Sequence, residues 1–173
     1  MLNIKPPEYL FCPLCGTELS IKKDIDDEKR KMCPKCDWIY YPHVSTTSCG
    51  IIIRKGRVLL VKRAREPYKN KWMFPAGFVQ YGEHPKEALV REVKEETNLA
   101  VKNPKLIAIL QSTEDPRAPG HFMFFYKVEA KGILKSNDWV ENSDIGWFDI
   151  NNPPKIGWRS HKLMLKKLQE KSI

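Results

Sequence analysis

The chain has 173 residues, of which 42% are hydrophobic and 29% charged, and a formal net charge of +9. That length suits one domain of roughly 130 residues plus a small module; the larger part can bury a core, whereas a module of about 40 residues ordinarily needs a staple such as a metal. No apolar run reaches the roughly 18 residues of a membrane-spanning helix, and Met1-Leu2-Asn3-Ile4-Lys5-Pro6-Pro7-Glu8 lacks the apolar stretch of a secretion signal, so a cytoplasmic protein is expected.

Lysines are spread along the whole sequence. Such a distribution reads as a solvated basic surface, or as one that draws anionic ligands.

Three parts follow one another: residues 1–42 with paired cysteines, residues 43 to about 150 with alternating apolar runs and one charged helical segment, and a C-terminal part opening on Asn151-Asn152-Pro153-Pro154. The division expected is a ribbon over 1–42 and a larger domain over 43–173.

In the first part, Cys12-Pro13-Leu14-Cys15-Gly16 and Cys33-Pro34-Lys35-Cys36 form two Cys-x-x-Cys pairs, with 17 residues between Cys15 and Cys33. Four thiolates at this spacing can converge tetrahedrally on Zn²⁺, each tight turn aiming two sulfurs inward. A redox dithiol and an iron–sulfur cluster are the competing uses of such pairs, but a redox Cys-x-x-Cys is usually single and near a βαβ unit. Four cysteines fill the coordination shell, so this zinc is structural, and hydrolytic chemistry has to come from elsewhere. Cys49 stands alone and reads as a small buried apolar residue.

The second part predicts strands over Ser48–Arg54 and Val58–Arg63, turning at Lys55-Gly56-Arg57, and further strands over Lys105–Ser112 and His121–Glu129. In the last of these, Phe122, Phe124 and Tyr126 share one strand face. A helix is predicted from Pro85 to Thr97. Proline suits its first position, His84 is the N-cap with Glu87 completing a partial capping box, and Asn98 supplies the left-handed ending. A second helix is expected over about 159–171, carrying Leu163, Leu165 and Leu168. Strand pairs with a helix between them indicate a mixed α/β layer fold.

Within the first helix Glu92, Glu95 and Glu96 fall at i, i+3 and i+4 and share one face. Such a stripe is either a solvated acidic face paired with Lys86, Arg91 and Lys94, or an oxygen-rich seat for a hard divalent cation. Mg²⁺ takes one or two carboxylates and fills its shell with waters and substrate phosphates.

The segment Gly77 to Leu99 resembles the 23-residue signature of the Nudix hydrolases: Gly77, Glu83, Arg91-Glu92, Val93, Glu95-Glu96 and Leu99 all stand in place. Only Asn98 departs, where the family has glycine; asparagine tolerates the left-handed conformation. Trp72-Met73-Phe74-Pro75-Ala76 resembles the usual entry to this motif. The resemblance spans about residues 45–150 and implies a Nudix α/β/α sandwich with a mixed β-sheet, here preceded by a small zinc ribbon.

It also implies roles. Glu92 and Glu96 would be the main Mg²⁺ (or Mn²⁺) ligands, with Glu95 an auxiliary one and the Ala76 carbonyl a backbone one. Glu83 and Arg91 would be an ion pair orienting the ligating carboxylates. The reaction implied is attack of water on phosphorus with metal assistance. A general base often comes from a later loop in this family; Glu141, Asp144 and Glu114 are the candidates, and Glu141 sits where similar sequences place an acidic residue.

For the substrate, the resemblance implies a nucleoside diphosphate linked to another group: ADP-ribose, FAD or NADH, releasing AMP. Relatives that act on NADH carry Ser-Gln-Pro-Trp-Pro-Phe-Pro after the helix, and this chain has Gln111-Ser112-Thr113-Glu114-Asp115-Pro116. Asp115-Pro116-Arg117 followed by Gly120-His121 is similar to a run in ADP-ribose diphosphatases, where Arg117 could fork onto a diphosphate. Phe78 is the aromatic residue expected to stack on a base, among Tyr68, Trp72, Phe78 and Phe122, residues that more often belong to a core. His43 and His121 are expected to be structural or solvated. A nucleoside triphosphate or NAD-capped RNA is the alternative substrate, and a non-catalytic nucleotide sensor or nucleic-acid-binding regulator the alternative of another class. The ribbon could serve a homodimer contact.

Overall fold

A computed structural model of the chain describes residues 8–172. The first seven residues of the expected ribbon, with most of the N-terminal run read above, therefore lie outside the described residues. The chain separates into two compact units, one ending at His43 and the other beginning at Val44.

The first unit is built on a hairpin of β1 (Ser20–Lys23) and β2 (Lys29–Met32), paired antiparallel. Its turn is organised by Asp24, whose carboxylate accepts from the backbone of Asp26 and Glu28 and pairs with Arg30. A knuckle lies on each side of the hairpin. Gly16 N donates to Cys12 O and Asp37 N to Cys33 O, and Gly16 and Asp37 both hold positive φ, 70° and 56°. The two knuckles thus repeat one backbone turn, once with glycine and once with aspartate in the left-handed position.

The second unit contains β3 (Thr46–Arg54), β4 (Arg57–Arg63), β5 (Trp72–Met73), β6 (Ala76–Phe78), α1 (Pro85–Thr97), β7 (Ala100–Gln111), β8 (Phe122–Lys131), β9 (Asn142–Asp149) and α2 (Arg159–Gln169). Strand β3 is central: it pairs parallel with β8 and antiparallel with β6, and turns at Lys55-Gly56, both at positive φ, into β4. Strand β7 pairs antiparallel with β8, while β5 and β9 flank β4. The sheet is therefore mixed.

Period-2 alternation sends side chains to opposite faces. Ile51, Val58, Leu60 and Phe125 pack with Met164, Leu165 and Leu168 of α2, while Ile52, Leu59 and Tyr126 pack with Leu89 and Val93 of α1. One helix covers each face, the α/β/α sandwich expected. Each fully buried aliphatic side chain of this kind contributes about 1.5–3 kcal/mol.

The cap of α1 is complete: His84 Nδ1 accepts from Lys86 N, and Glu87 Oε2 accepts from His84 N. Asn98 ends the helix at φ 60°. Among the described residues no helix is long and apolar enough to cross a membrane.

Candidate active site

The four paired cysteines come together in the first unit. Their sulfurs all lie within 4.8 Å of one another, with Cys12–Cys36 at 3.6 Å, Cys15–Cys33 at 3.5 Å and Cys15–Cys36 at 3.7 Å. A tetrahedron with Zn–S bonds of ~2.3 Å has edges of roughly 3.8 Å, so the donors and spacings fit zinc.

In the second unit a cavity of about 390 Å³ opens beside the start of β6 and the outer turns of α1. Its wall includes Gly77, Phe78, Arg91, Glu92, Glu95, Arg117 and Glu141 from the sequence reading. Glu83, Glu96 and Asn142 are not part of the wall but are bonded into the site, Glu83 to Arg91 and Glu96 to Asn142.

Arg91 is the organising cation. Its Nε and Nη2 donate to the two oxygens of Glu83, each at 2.9 Å, and Nη2 also reaches Phe78 O at 3.0 Å. Nη1 donates to Glu92 at 2.6 Å and to Glu95 at 3.2 Å. The fork holds the Glu83 carboxyl down at about 2, chiefly through its hydrogen bonds. Burial pushes Glu92 upward against the pull of Arg91.

Glu96 is 3% exposed. Its oxygens accept from Ala76 N at 2.8 Å and from Asn142 Nδ2 at 2.7 Å. Burial pushes its carboxyl up to about 8, with Asn142 opposing and Glu92 reinforcing. A buried acid with only neutral donors around it, beside a second acid, is a site whose charge balance calls for a cation. The cradle is shaped as well as charged: a Cβ on residue 77 would overlap the carboxylate of Glu92, so only glycine leaves that oxygen pair its place. These oxygen donors fit Mg²⁺ or Mn²⁺.

Glu141 is exposed at the cavity wall, and its charge is felt by Glu92, Glu96, Arg63 and Arg117. The other two candidate bases are placed elsewhere. Glu114 accepts from Tyr68 Oη at 2.9 Å and from Arg159 N at 2.7 Å, which ties loop to helix. Asp144 lies on β9 opposite Lys62 and does not line the cavity.

Arg117 is half-exposed and held bidentate by buried Asp115, at 3.0 and 2.7 Å, with its guanidinium 5.9 Å from the Phe78 ring centroid. Tyr68 and Trp72 are packed edge-on against Trp158 and Phe148 and do not line the cavity, nor does Phe122. His121 lines it and is buried.

Several lining residues escaped the sequence reading. Arg63 is the chief one: Nε donates to Pro67 O at 2.7 Å, the guanidinium lies 5.6 Å from the Trp158 ring centroid, and among the described residues it pairs with no carboxylate. Its place at the C-terminal end of an apolar strand was the only signal available. Arg65, Thr47, His161 and Trp158 also line the wall.

A mixed sheet sandwiched between two helices, with an acidic helix face laid against a glycine-containing strand and guanidinia on the same cavity wall, defines a site of the class that pairs a divalent cation with an anionic ligand. The chain belongs to the Nudix family: residues 42–168 match the NUDIX domain model, and residues 10–42 match the Nudix N-terminal zinc-ribbon model. Among curated proteins it is 36% identical over 125 residues to an ADP-ribose pyrophosphatase from Methanocaldococcus jannaschii, covering 72% of this chain and 73% of that one. It is 35% identical over 150 residues to the NAD-capped RNA hydrolase NudC of Chromobacterium violaceum, covering 86% of this chain and 53% of the relative. The chain thus spans about half the length of such hydrolases. A crystal structure of a NUDIX hydrolase from Nitrosomonas europaea superposes with a TM-score of 0.80 at 27% identity, covering 95% and 93% of the two chains.

Proposed function

We propose that the chain is a Mg²⁺-dependent (or Mn²⁺-dependent) hydrolase that cuts the diphosphate of an ADP-ribose-type compound and releases AMP. The observation that carries this reading is the cavity itself, whose wall brings together Arg91-bound Glu92, Arg63 and Arg117, with buried Glu96 one helical turn from Glu92. The 36% identity to an ADP-ribose pyrophosphatase supports the substrate class.

Glu92 and Glu96, with Glu95 and the Ala76 carbonyl, would hold the ion. Bound there, it would supply Lewis-acid polarisation of phosphoryl oxygens and a lowered pKa for water. Glu83 and Arg91 keep the Glu92 carboxylate in one orientation, which fixes ligand geometry. Arg63 and Arg117 bring forked donors to diphosphate oxygens. Glu141 takes the proton of the attacking water; a new O–P bond forms, the bridging P–O bond breaks, and AMP leaves with a sugar phosphate as co-product. The ribbon's thiolates would hold structural Zn²⁺, which suits a reducing compartment such as the cytoplasm.

A second substrate, NAD-capped RNA, draws support from the similarity to NudC, which extends over 86% of the chain. The two are separated by one product assay. Purified protein with Mg²⁺ is offered ADP-ribose, NADH, FAD, nucleoside triphosphates and NAD-capped RNA, beside Glu96→Gln. AMP from ADP-ribose, lost in the variant, is expected. Turnover of capped RNA alone would select the second substrate, and unchanged turnover by Glu96→Gln would overturn the site.

A further inference from the structure

The charged residues of the cavity answer to the anionic part of a nucleotide, and a neutral stretch of wall is left over. In the sheet, Phe78, Thr47 and Met123 form one cross-strand row: Thr47 pairs with Phe78 of β6 on one side and with Met123 of β8 on the other. All three line the cavity, and so does His121, which immediately precedes β8.

Two groups in this stretch are chemically open. Thr47 is 7% exposed, and its hydroxyl is buried without a hydrogen-bond partner among the described residues. His121 is 3% exposed, and its Nδ1 lies 2.9 Å from Ala118 O. A carbonyl only accepts, so Nδ1 donates to it, and Nε2 is the ring nitrogen left for a ligand. No described residue donates to that nitrogen. Buried polar groups are ordinarily satisfied, so the unpaired Thr47 hydroxyl, beside His121 on the wall of the same cavity, points to a ligand that satisfies it.

A ring surface lies beside them. Phe78 is 38% exposed, and its ring centroid is 6.1 Å from that of His121. Trp158 offers no comparable face, being 5% exposed between the Arg63 guanidinium and the Tyr68 ring.

We infer that this row seats the heterocycle of the substrate, and that His121 Nε2 and Thr47 Oγ1 read an exocyclic amine on it. The inference rests on the cavity being a nucleoside-diphosphate site. The amine donates to Nε2, and the threonine hydroxyl takes its second N–H or donates to a neighbouring ring acceptor. A carbonyl in place of the amine would set acceptor against acceptor and leave both sides unpaired. Adenine N6 and the carboxamide of nicotinamide share this chemistry.

The test is calorimetric binding of two pairs of mononucleotides to the full chain: AMP with IMP, and nicotinamide mononucleotide with its carboxylate counterpart. The amine-bearing member of one pair should bind at least about tenfold tighter, and which pair discriminates tells adenine from nicotinamide. His121→Phe should bring that ratio within about twofold, while His121→Gln, which keeps an acceptor, should preserve it. Thr47→Val, nearly isosteric, should lower the ratio and serves if His121→Phe fails to fold.

Equal binding within both pairs, or a preference that survives His121→Phe and Thr47→Val, overturns the inference while leaving the hydrolase reading intact. If no mononucleotide binds measurably, the ratio is read from kcat/KM for ADP-ribose against inosine diphosphate ribose. Absence of turnover of either compound and of NAD-capped RNA would remove the cavity reading and the inference together.

Discussion

The carboxylate of Glu92 occupies the space that a side chain at position 77 would need. A Cβ built on Gly77 would overlap the carboxyl carbon and both oxygens of Glu92. The glycine that opens the motif is thus required by Glu92 through direct contact, across a strand and a helix that meet only in the fold. Gly77→Ala should push Glu92 aside while leaving the sheet register untouched. At limiting Mg²⁺ an activity loss of about tenfold to a hundredfold is expected, with partial recovery when Mg²⁺ is raised. Full activity of the variant at low Mg²⁺ would mean that Glu92 need not stand there.

Arg91 makes five hydrogen bonds, two to Glu83 and one each to Glu92, Glu95 and Phe78 O. A lysine presents one point charge and cannot reproduce the fork. Arg91→Lys should raise the Mg²⁺ concentration for half-maximal activity by about tenfold or more, and the folded structure should persist because α1 is anchored by Leu89 and Val93. A metal titration of activity decides it: unchanged half-saturation with lowered kcat would place Arg91 on the substrate instead of on the ligating carboxylates.

Much of this site was legible because its residues lie in one unbroken motif. Helical periodicity alone put Glu92 and Glu96 on one face, and the helix came out over Pro85–Thr97 with the cap at His84 and the left-handed Asn98. Strands were less well bounded. Strand β7 begins at Ala100 rather than Lys105, because Asn103 and Pro104 are poor strand formers that the sheet absorbs with register shifts between Lys102 and Lys105 and between Leu106 and Ala108. Strand β9 carries no strand signal in the sequence: Asp144 and Gly146 break its alternation, and pairing with β4 makes it a strand. The same holds for the short β5 and β6 and for the charged ribbon hairpin. Asn142, 2% exposed and bonded to Glu96, escaped because a sequence separation of 46 residues carries no periodic signal. Arg63, Thr47 and His161 escaped likewise, since sheet register and helix docking alone turn them toward the cavity.

The ribbon should depend on its metal. A unit of this size has little apolar core: Leu10, Phe11, Leu14, Ile21 and Ile25 are all exposed. Metal coordination would then supply much of its folding free energy. Elemental analysis should find one zinc per chain, and strong chelation should abolish amide-exchange protection across residues 10–42 while β3 and β8 keep theirs. Simultaneous loss in both units would show that the hydrolase domain needs the ribbon folded; retention in both would mean that the ribbon stands without metal.

His161 gives a pH dependence with a definite sign. The ring is 1% exposed, accepts from Phe74 N at 3.1 Å through Nδ1, and stacks on Phe74 with centroids 5.4 Å apart. Burial lowers its pKa from 6.5 to about 3, with Arg63 and His121 adding to the effect. Between those two values the unfolded chain binds the extra proton and the folded chain does not. The contribution of His161 is therefore complete above about pH 6.5 and is lost as pH falls toward 3, by at most about 1.4 kcal/mol per pH unit. His161→Gln keeps an acceptor for Phe74 N–H but cannot titrate. The variant should be less stable than the parent at pH 7 through lost packing, and the gap between their urea midpoints should narrow steadily from pH 7 to pH 4. A gap that stays constant over that range would show that the ring is protonated in the folded protein, and that its burial against Phe74 and Phe125 does not hold it neutral.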